Sequence, residues 1–118
     1  MWRVLHVLSL LAPSAAWLNV PTALDGALPC PDCRSHFHEW VVAHPLTAGT
    51  GPRDWVAALH NAVNTRLGRP TWTIEEVLAT YGPLTRADAV AALGVVRGMI
   101  GSVGLAALDA LIASVPPA

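Results

Sequence analysis

Apolar residues recur at helical spacing along almost the whole chain, and no stretch of strand length alternates. Val4, Leu5, Leu8 and Leu11 form one stripe, which Pro13 ends. Asn19-Val-Pro-Thr opens a short second segment, with Thr22 the expected N-cap. Residues 34–43 read as a helix running on from Cys33, and His44-Pro-Leu-Thr-Ala-Gly-Thr-Gly-Pro reads as a loop. A further helix is predicted from Pro52 or Arg53 to Leu67, with proline tolerated in the first turn and Gly68 supplying the stop. Thr73-Ile-Glu-Glu is a capping box, and its helix ends near Tyr81-Gly82-Pro83. Thr85-Arg-Ala-Asp opens the last region. There Gly94, Gly98, Gly101 and Gly104 imply either a kink or close packing, and Gly94-x-x-x-Gly98 has the spacing that suits close packing. The pattern predicts an all-α fold.

Composition narrows this. The chain has 118 residues, enough for one core; 53% are hydrophobic and 13% charged, which excludes disorder as the main state. The seven basic residues are all arginine and lie scattered, so a nucleic-acid footprint is absent and no nucleic-acid partner is expected. Residues 1–18 imitate a signal peptide, with Arg3 before an apolar run and small residues at 14–16. His6 and Pro13 interrupt that run, so these residues are expected to stay in the folded domain, and a cytoplasmic location is favoured over a secreted one. Residues 87–115 are long and apolar enough to raise membrane association, but Arg97 and Asp109 inside the run make that the less favoured expectation.

The two cysteines sit together in Cys30-Pro-Asp-Cys33. At a helix start, backbone N–H groups favour a thiolate, so such a pair closes to a disulfide and reopens by thiol exchange. The competing reading is half of a zinc site with His36 and His38, although that spacing is too compressed for the usual knuckle. A second cluster follows Trp55: His60, Asn61 and Asn64 fall within about one helical turn, beside the Leu59/Val63 stripe. Asparagine lowers helix propensity, so two of them beside a histidine ask for a local reason. Arg66 and Arg69, at the helix C-terminus, could meet a phosphate.

These blocks together resemble the Erv/ALR family of FAD-dependent sulfhydryl oxidases. They are Trp2-x-x-Leu5-His6, Pro13, Leu28-Pro-Cys30-x-x-Cys33, His36-Phe37, Trp55, His60-Asn61-x-Val63-Asn64 and Leu67-Gly68-Arg69-Pro70, in the family's order. The resemblance implies an Erv/ALR-like bundle of four to five helices over residues 1–82 that holds FAD, with 83–118 as an additional C-terminal helical segment. It implies an FAD-dependent thiol oxidase that forms disulfides in dithiol substrates, protein or small, and passes electrons through Cys30–Cys33 and FAD to molecular oxygen, giving hydrogen peroxide. Cys33 would be the flavin-side thiol and Cys30 the substrate-side one. Trp2, His6, His36, Phe37, Val63 and Trp72 would contribute to the flavin site, His60, Asn61 and Asn64 to the adenosine side, and Arg66 and Arg69 to the diphosphate. The resemblance also raises a possible homodimer.

Departures from the family accompany these matches. Ala57 and Ile74 stand where the family commonly carries a structural disulfide, and no shuttle cysteine pair lies outside the core motif. The stretch between His6 and Cys30 is also about two helical turns shorter than in the family. A non-catalytic zinc-binding interaction module built on Cys30, Cys33 and nearby histidines, and a degenerate FAD-binding family member, remain as alternatives.

Overall fold

The computed structural model describes residues 1–47 and 49–117, and these form seven α-helices and two 3-10 turns without a strand. The helices are α1 (Trp2–Leu11), α2 (Val20–Leu24), α3 (Pro31–Ala43), α4 (Pro52–Arg66), α5 (Ile74–Tyr81), α6 (Arg86–Val96) and α7 (Ser102–Ala113). The all-α expectation is met, and the first 82 residues supply five of the helices.

α1 is the axis of the molecule. Val4 through Ser9 are all buried, so it is enclosed on every side at its centre. α6 packs along it on one side and α4 on another, while α5 meets its start. Such a helix cannot show a single narrow stripe, and Val7 is as buried as Leu8 while Leu11, at the end, is 36% exposed. Pro13 turns the chain into a 3-10 segment whose Trp17 is fully buried, its Nε1–H donating to the Leu8 carbonyl at 3.2 Å. Truncating Leu8 to alanine in this centre falls in the class of core deletions that costs about 2–5 kcal/mol.

α2 starts earlier than expected. Pro21 occupies its first turn and Asn19 stands at the N-cap, so Thr22 lies inside the helix and is no cap. α3 likewise begins at Pro31, three residues before the expected Arg34, because Cys30 itself is the N-cap.

The ends of α4 and α5 follow local chemistry. Gly68, at φ 70°, closes α4 with Gly68 N–H donating to Thr65 O and Arg69 N–H to Asn64 O, the paired bonds of a Schellman stop. Thr73 and Glu76 exchange both bonds of the capping box, each at 3.1 Å. Thr85 N–H donates to the Asp88 carboxylate at 2.7 Å at the head of α6.

The C-terminal region breaks at the 3-10 turn Arg97–Met99, and the two arms are tied by a bidentate Arg97–Asp109 pair at 3.0 and 2.8 Å. α6 lies on α1 and α7 on α2, and both contribute to the same core as α1 and α4. The expected Gly94/Gly98 packing is not found. A Cβ at either would meet nothing within 4 Å, and both are exposed. Close approach occurs at Gly101 and Gly104 instead, against Ala27 and its neighbours. Among the described residues no helix is long and apolar enough to cross a membrane.

Candidate active site

Cys30 and Cys33 form a disulfide at the head of α3. Pro31 takes the first helical position, where a missing N–H costs nothing, and the chain enters through Cys30 in extended geometry (φ −113°, ψ 138°). Cys30 Sγ acts as the cap, accepting the Cys33 backbone N–H at 3.0 Å. A sulfur carrying charge at this point would face the helix N-terminus, the end that favours an anion. Arg34 Nη1–H donates to the Leu28 carbonyl at 2.9 Å, and His38 pairs with Asp25 at 2.7 Å. Both bonds fasten α3 to the loop that enters it.

Cys33 also faces a cavity of about 540 Å³ between α1, α3 and α4. Of the residues expected at a cofactor site, Trp2, His36, Phe37, Val63 and Arg66 share its wall with Cys33. Leu5, Leu24, Leu28, Leu59 and other apolar side chains supply most of the rest, so the wall is mainly apolar, with Glu39 and Arg66 as its charged members. The volume lies within the range of ordinary cofactor pockets, and apolar walls with few polar groups are their usual make-up. Cys30 is not part of this lining. One cysteine of the pair lines the cavity and the other does not.

The remaining expected residues gather beside it. His6 Nε2 and His60 Nδ1 lie 2.8 Å apart, joining α1 to α4 through one proton. Trp2 stacks on His60 with centroids 4.0 Å apart and planes 9° apart, and His6 stacks on Tyr81 at 4.3 Å and 10°. Trp72 sits between His60 and Tyr81, 6.2 Å from each. Aromatic pairs of this kind contribute about 0.5–1.5 kcal/mol beyond their burial.

Burial pushes His6 down to about 4, with His60 adding to the shift, so its ring is neutral near pH 7. Burial also lowers His60, and Arg69 acts in the same direction. His6 Nδ1 is buried and has no partner. The cheaper tautomer therefore puts the His6 proton on Nε2, donating to His60, because a bare acceptor costs less than a stranded N–H.

Asn61 is engaged by the backbone of Trp72. Its Nδ2–H donates to the Trp72 carbonyl and its Oδ1 accepts the Trp72 N–H, both at 2.8 Å. The side chain thus clasps the turn between α4 and α5, and both ends of its amide are spent. Asn64 is buried one turn on, its carbonyl taken by the Arg69 N–H. His6, His60, Asn61, Asn64, Arg69 and Trp72 are not in the cavity lining.

Sequence reading missed the wall residues toward the far end of α3, among them Trp40 and His44. Trp40 stacks on His44 at 4.4 Å, and both reach the cavity. Trp55 meets Trp40 edge-on and donates Nε1–H to the His44 carbonyl at 2.8 Å. The signal available was spacing: Phe37, Trp40 and His44 stand three and four apart on one helix face. The zinc alternative finds no support here. Both sulfurs are bonded to each other, His38 engages Asp25, and among the described residues no group of three His, Cys, Asp or Glu is placed to hold a metal.

Fold and site define a helical domain with a helix-capping Cys-x-x-Cys disulfide, one cysteine of which lines a cavity. The chain belongs to the Erv1/Alr family, whose model matches residues 1–82. It is 38% identical over 92 residues to the FAD-linked sulfhydryl oxidase ERV1 of Oryza sativa subsp. japonica, covering 70% of this chain and 47% of that protein. A second relative, FAD-linked sulfhydryl oxidase ERV1 of Arabidopsis thaliana, is 30% identical over 92 residues, covering 70% and 48%. The chain thus spans about half the length of the curated relatives it matches. No solved structure matches it.

Proposed function

We propose that this chain is an FAD-dependent thiol oxidase that forms disulfides in dithiol substrates and delivers the electrons to oxygen, giving hydrogen peroxide. The observation that carries the reading is the placement of Cys33 in the wall of an apolar cavity while its partner Cys30 stands outside that wall. The residues present suit a flavin: flat rings from Trp2 and Phe37, aliphatic side chains beside them, and the Arg66 guanidinium for a diphosphate. When bound there, FAD would supply the two-electron transfer from a thiolate and the subsequent reaction with oxygen.

The protein's own residues handle sulfur. A substrate thiolate attacks Cys30 Sγ, the Cys30–Cys33 bond breaks, and the electron pair leaves on Cys33 as a thiolate facing the cavity. A second substrate thiol then attacks the mixed disulfide, and Cys30 departs as the leaving group. The Cys33 N–H, already aimed at that sulfur, stabilises the charge it acquires. The substrate loses two electrons and two protons, which is what oxygen requires to become hydrogen peroxide. The neutral His6–His60 pair and the Asn61 clasp hold α1, α4 and the turn before α5 in place around the site.

The test is a visible spectrum of the purified protein, followed by oxygen uptake with dithiothreitol. A flavin spectrum and dithiol-dependent uptake are expected, and Cys33→Ser should retain the flavin and lose the uptake. A colourless protein that added FAD does not bind, or a Cys33→Ser variant with full turnover, refutes the assignment. A yellow protein without uptake indicates a family member that holds the flavin but does not turn over.

A further inference from the structure

The loop between α2 and α3 ends in Cys30, and three of the hydrogen bonds that hold it come from beyond its own turn. Two come from α3 itself, Arg34 to the Leu28 carbonyl and His38 to Asp25. The third comes from the far end of the chain: Gly101 N–H donates to the Ala27 carbonyl at 3.0 Å. Gly104 tightens the same contact. A Cβ there would stand 2.7 Å from Ala27 Cβ and 3.2 Å from the Ala23 carbonyl, so α7 reaches this depth only because position 104 has no side chain. Gly101 and Gly104 both lie beyond residues 1–82, the part that matches the family. Leu28 and Pro29, the next residues after Ala27, line the cavity. One short loop therefore carries α7 at Ala27, the cavity at Leu28 and Pro29, and the redox pair at its end.

We propose that α7 is a positioning element for the Cys30–Cys33 centre, holding Ala27 so that Cys30 stays seated at the cap of α3 and the disulfide is favoured over the dithiol. A fixed loop keeps the two sulfurs at high effective concentration, so less conformational freedom is lost when the bond closes. The inference deepens the thiol-exchange reading of the site, yet its readouts need neither flavin nor oxygen. Two glutathione thiols reduce the pair, giving Cys30 and Cys33 thiols and one glutathione disulfide, with two electrons and two protons transferred.

Gly101→Pro is the informative variant. Gly101 has φ −58°, which proline adopts, and Ile100 before it is extended, as a residue preceding proline must be. Gly101 caps α7, so no helical bond is lost; the N–H given to Ala27 disappears, and the ring Cδ in its place pushes the Ala27 carbonyl away from α7. Gly101→Ala adds a Cβ but keeps that N–H, and serves as the control. The glutathione equilibrium of Gly101→Pro should lie about tenfold further toward the dithiol than that of Gly101→Ala, about 30 mV in potential. Linkage also supplies a measurement on the unaltered protein. If α7 favours the disulfide, the disulfide favours α7 docking equally, so reduction should lower hydrogen-exchange protection of the Gly101 amide by about the same factor. A Gly101→Pro equilibrium within about twofold of the control, less than about 0.4 kcal/mol, or one moved toward the disulfide, overturns the proposal. Equal Gly101 protection in the oxidised and reduced protein overturns it without any variant. Neither measurement is affected if the protein proves to bind no flavin and consume no oxygen, so the two readings fail separately.

Discussion

Acid should destabilise this protein through His6 as pH falls below about 7. His6 is fully buried, stacked on Tyr81, and held at about 4 by burial and by His60, against an ordinary value of 6.5. A histidine lowered in the folded state is protonated first in the unfolded chain, so stability is fully present above the unfolded value and is lost as pH falls toward the folded one. Between about pH 7 and pH 5 that loss amounts to roughly 2 kcal/mol, and it approaches about 3 kcal/mol near pH 4, using 1.36 kcal/mol per unit. His60 shifts in the same direction and adds to the slope. The comparison is between the wild type and His6→Phe, which keeps a ring against Tyr81 and cannot titrate. Urea unfolding of both at a series of pH values reads the contribution of His6 together with its coupling to His60. The wild type should lose about 2 kcal/mol more than His6→Phe over the upper two units. Parallel curves would refute the claim that a buried neutral His6 sets the acid limit.

Asn61→Ala should lower stability by about 2 kcal/mol, since it strands both the N–H and the carbonyl of Trp72, at about 1 kcal/mol each. Urea midpoints check this, and a loss under about 0.5 kcal/mol would mean water replaces the clasp. Reduction of Cys30–Cys33 should leave the helices intact: the cysteines are only 3 apart in sequence, so by loop entropy the bond contributes about 2 kcal/mol at most. Circular dichroism with and without dithiothreitol reads this directly, and collapse of the helical signal on reduction would contradict it.

What could be read from the sequence was what a few neighbouring residues decide among themselves. The Gly68 stop and the Thr73–Glu76 box each depend on contacts within a turn or so, and each stands where the pattern put it, whereas the cysteine pair lies at a helix start as read but with Cys30 as the cap and the helix three residues longer. Thr22 misled because two start signals competed: Pro21 fits only a first turn, and that restriction outranks a threonine's preference for the cap. Asn61 posed a question that local packing answers at least in part. An asparagine within a helix does need a partner; the backbone of Trp72 is one, and nothing in the spacing distinguishes a backbone from a nucleotide. The glycines show the same limit more sharply. Four small residues announce that something can come close, and the spacing of Gly94 and Gly98 suits close packing as well as that of Gly101 and Gly104. Only the return of α7 onto α2 selects the second pair, and that return depends on α6 having a partner in α1. Close approach of this kind is a property of two surfaces, and one sequence segment describes only one of them. The consequence for the site is direct. The residues that react are legible in the motif, whereas those that hold the motif in place come from Asp25, Leu28 and a backbone amide 74 residues from Ala27, which no local pattern could supply.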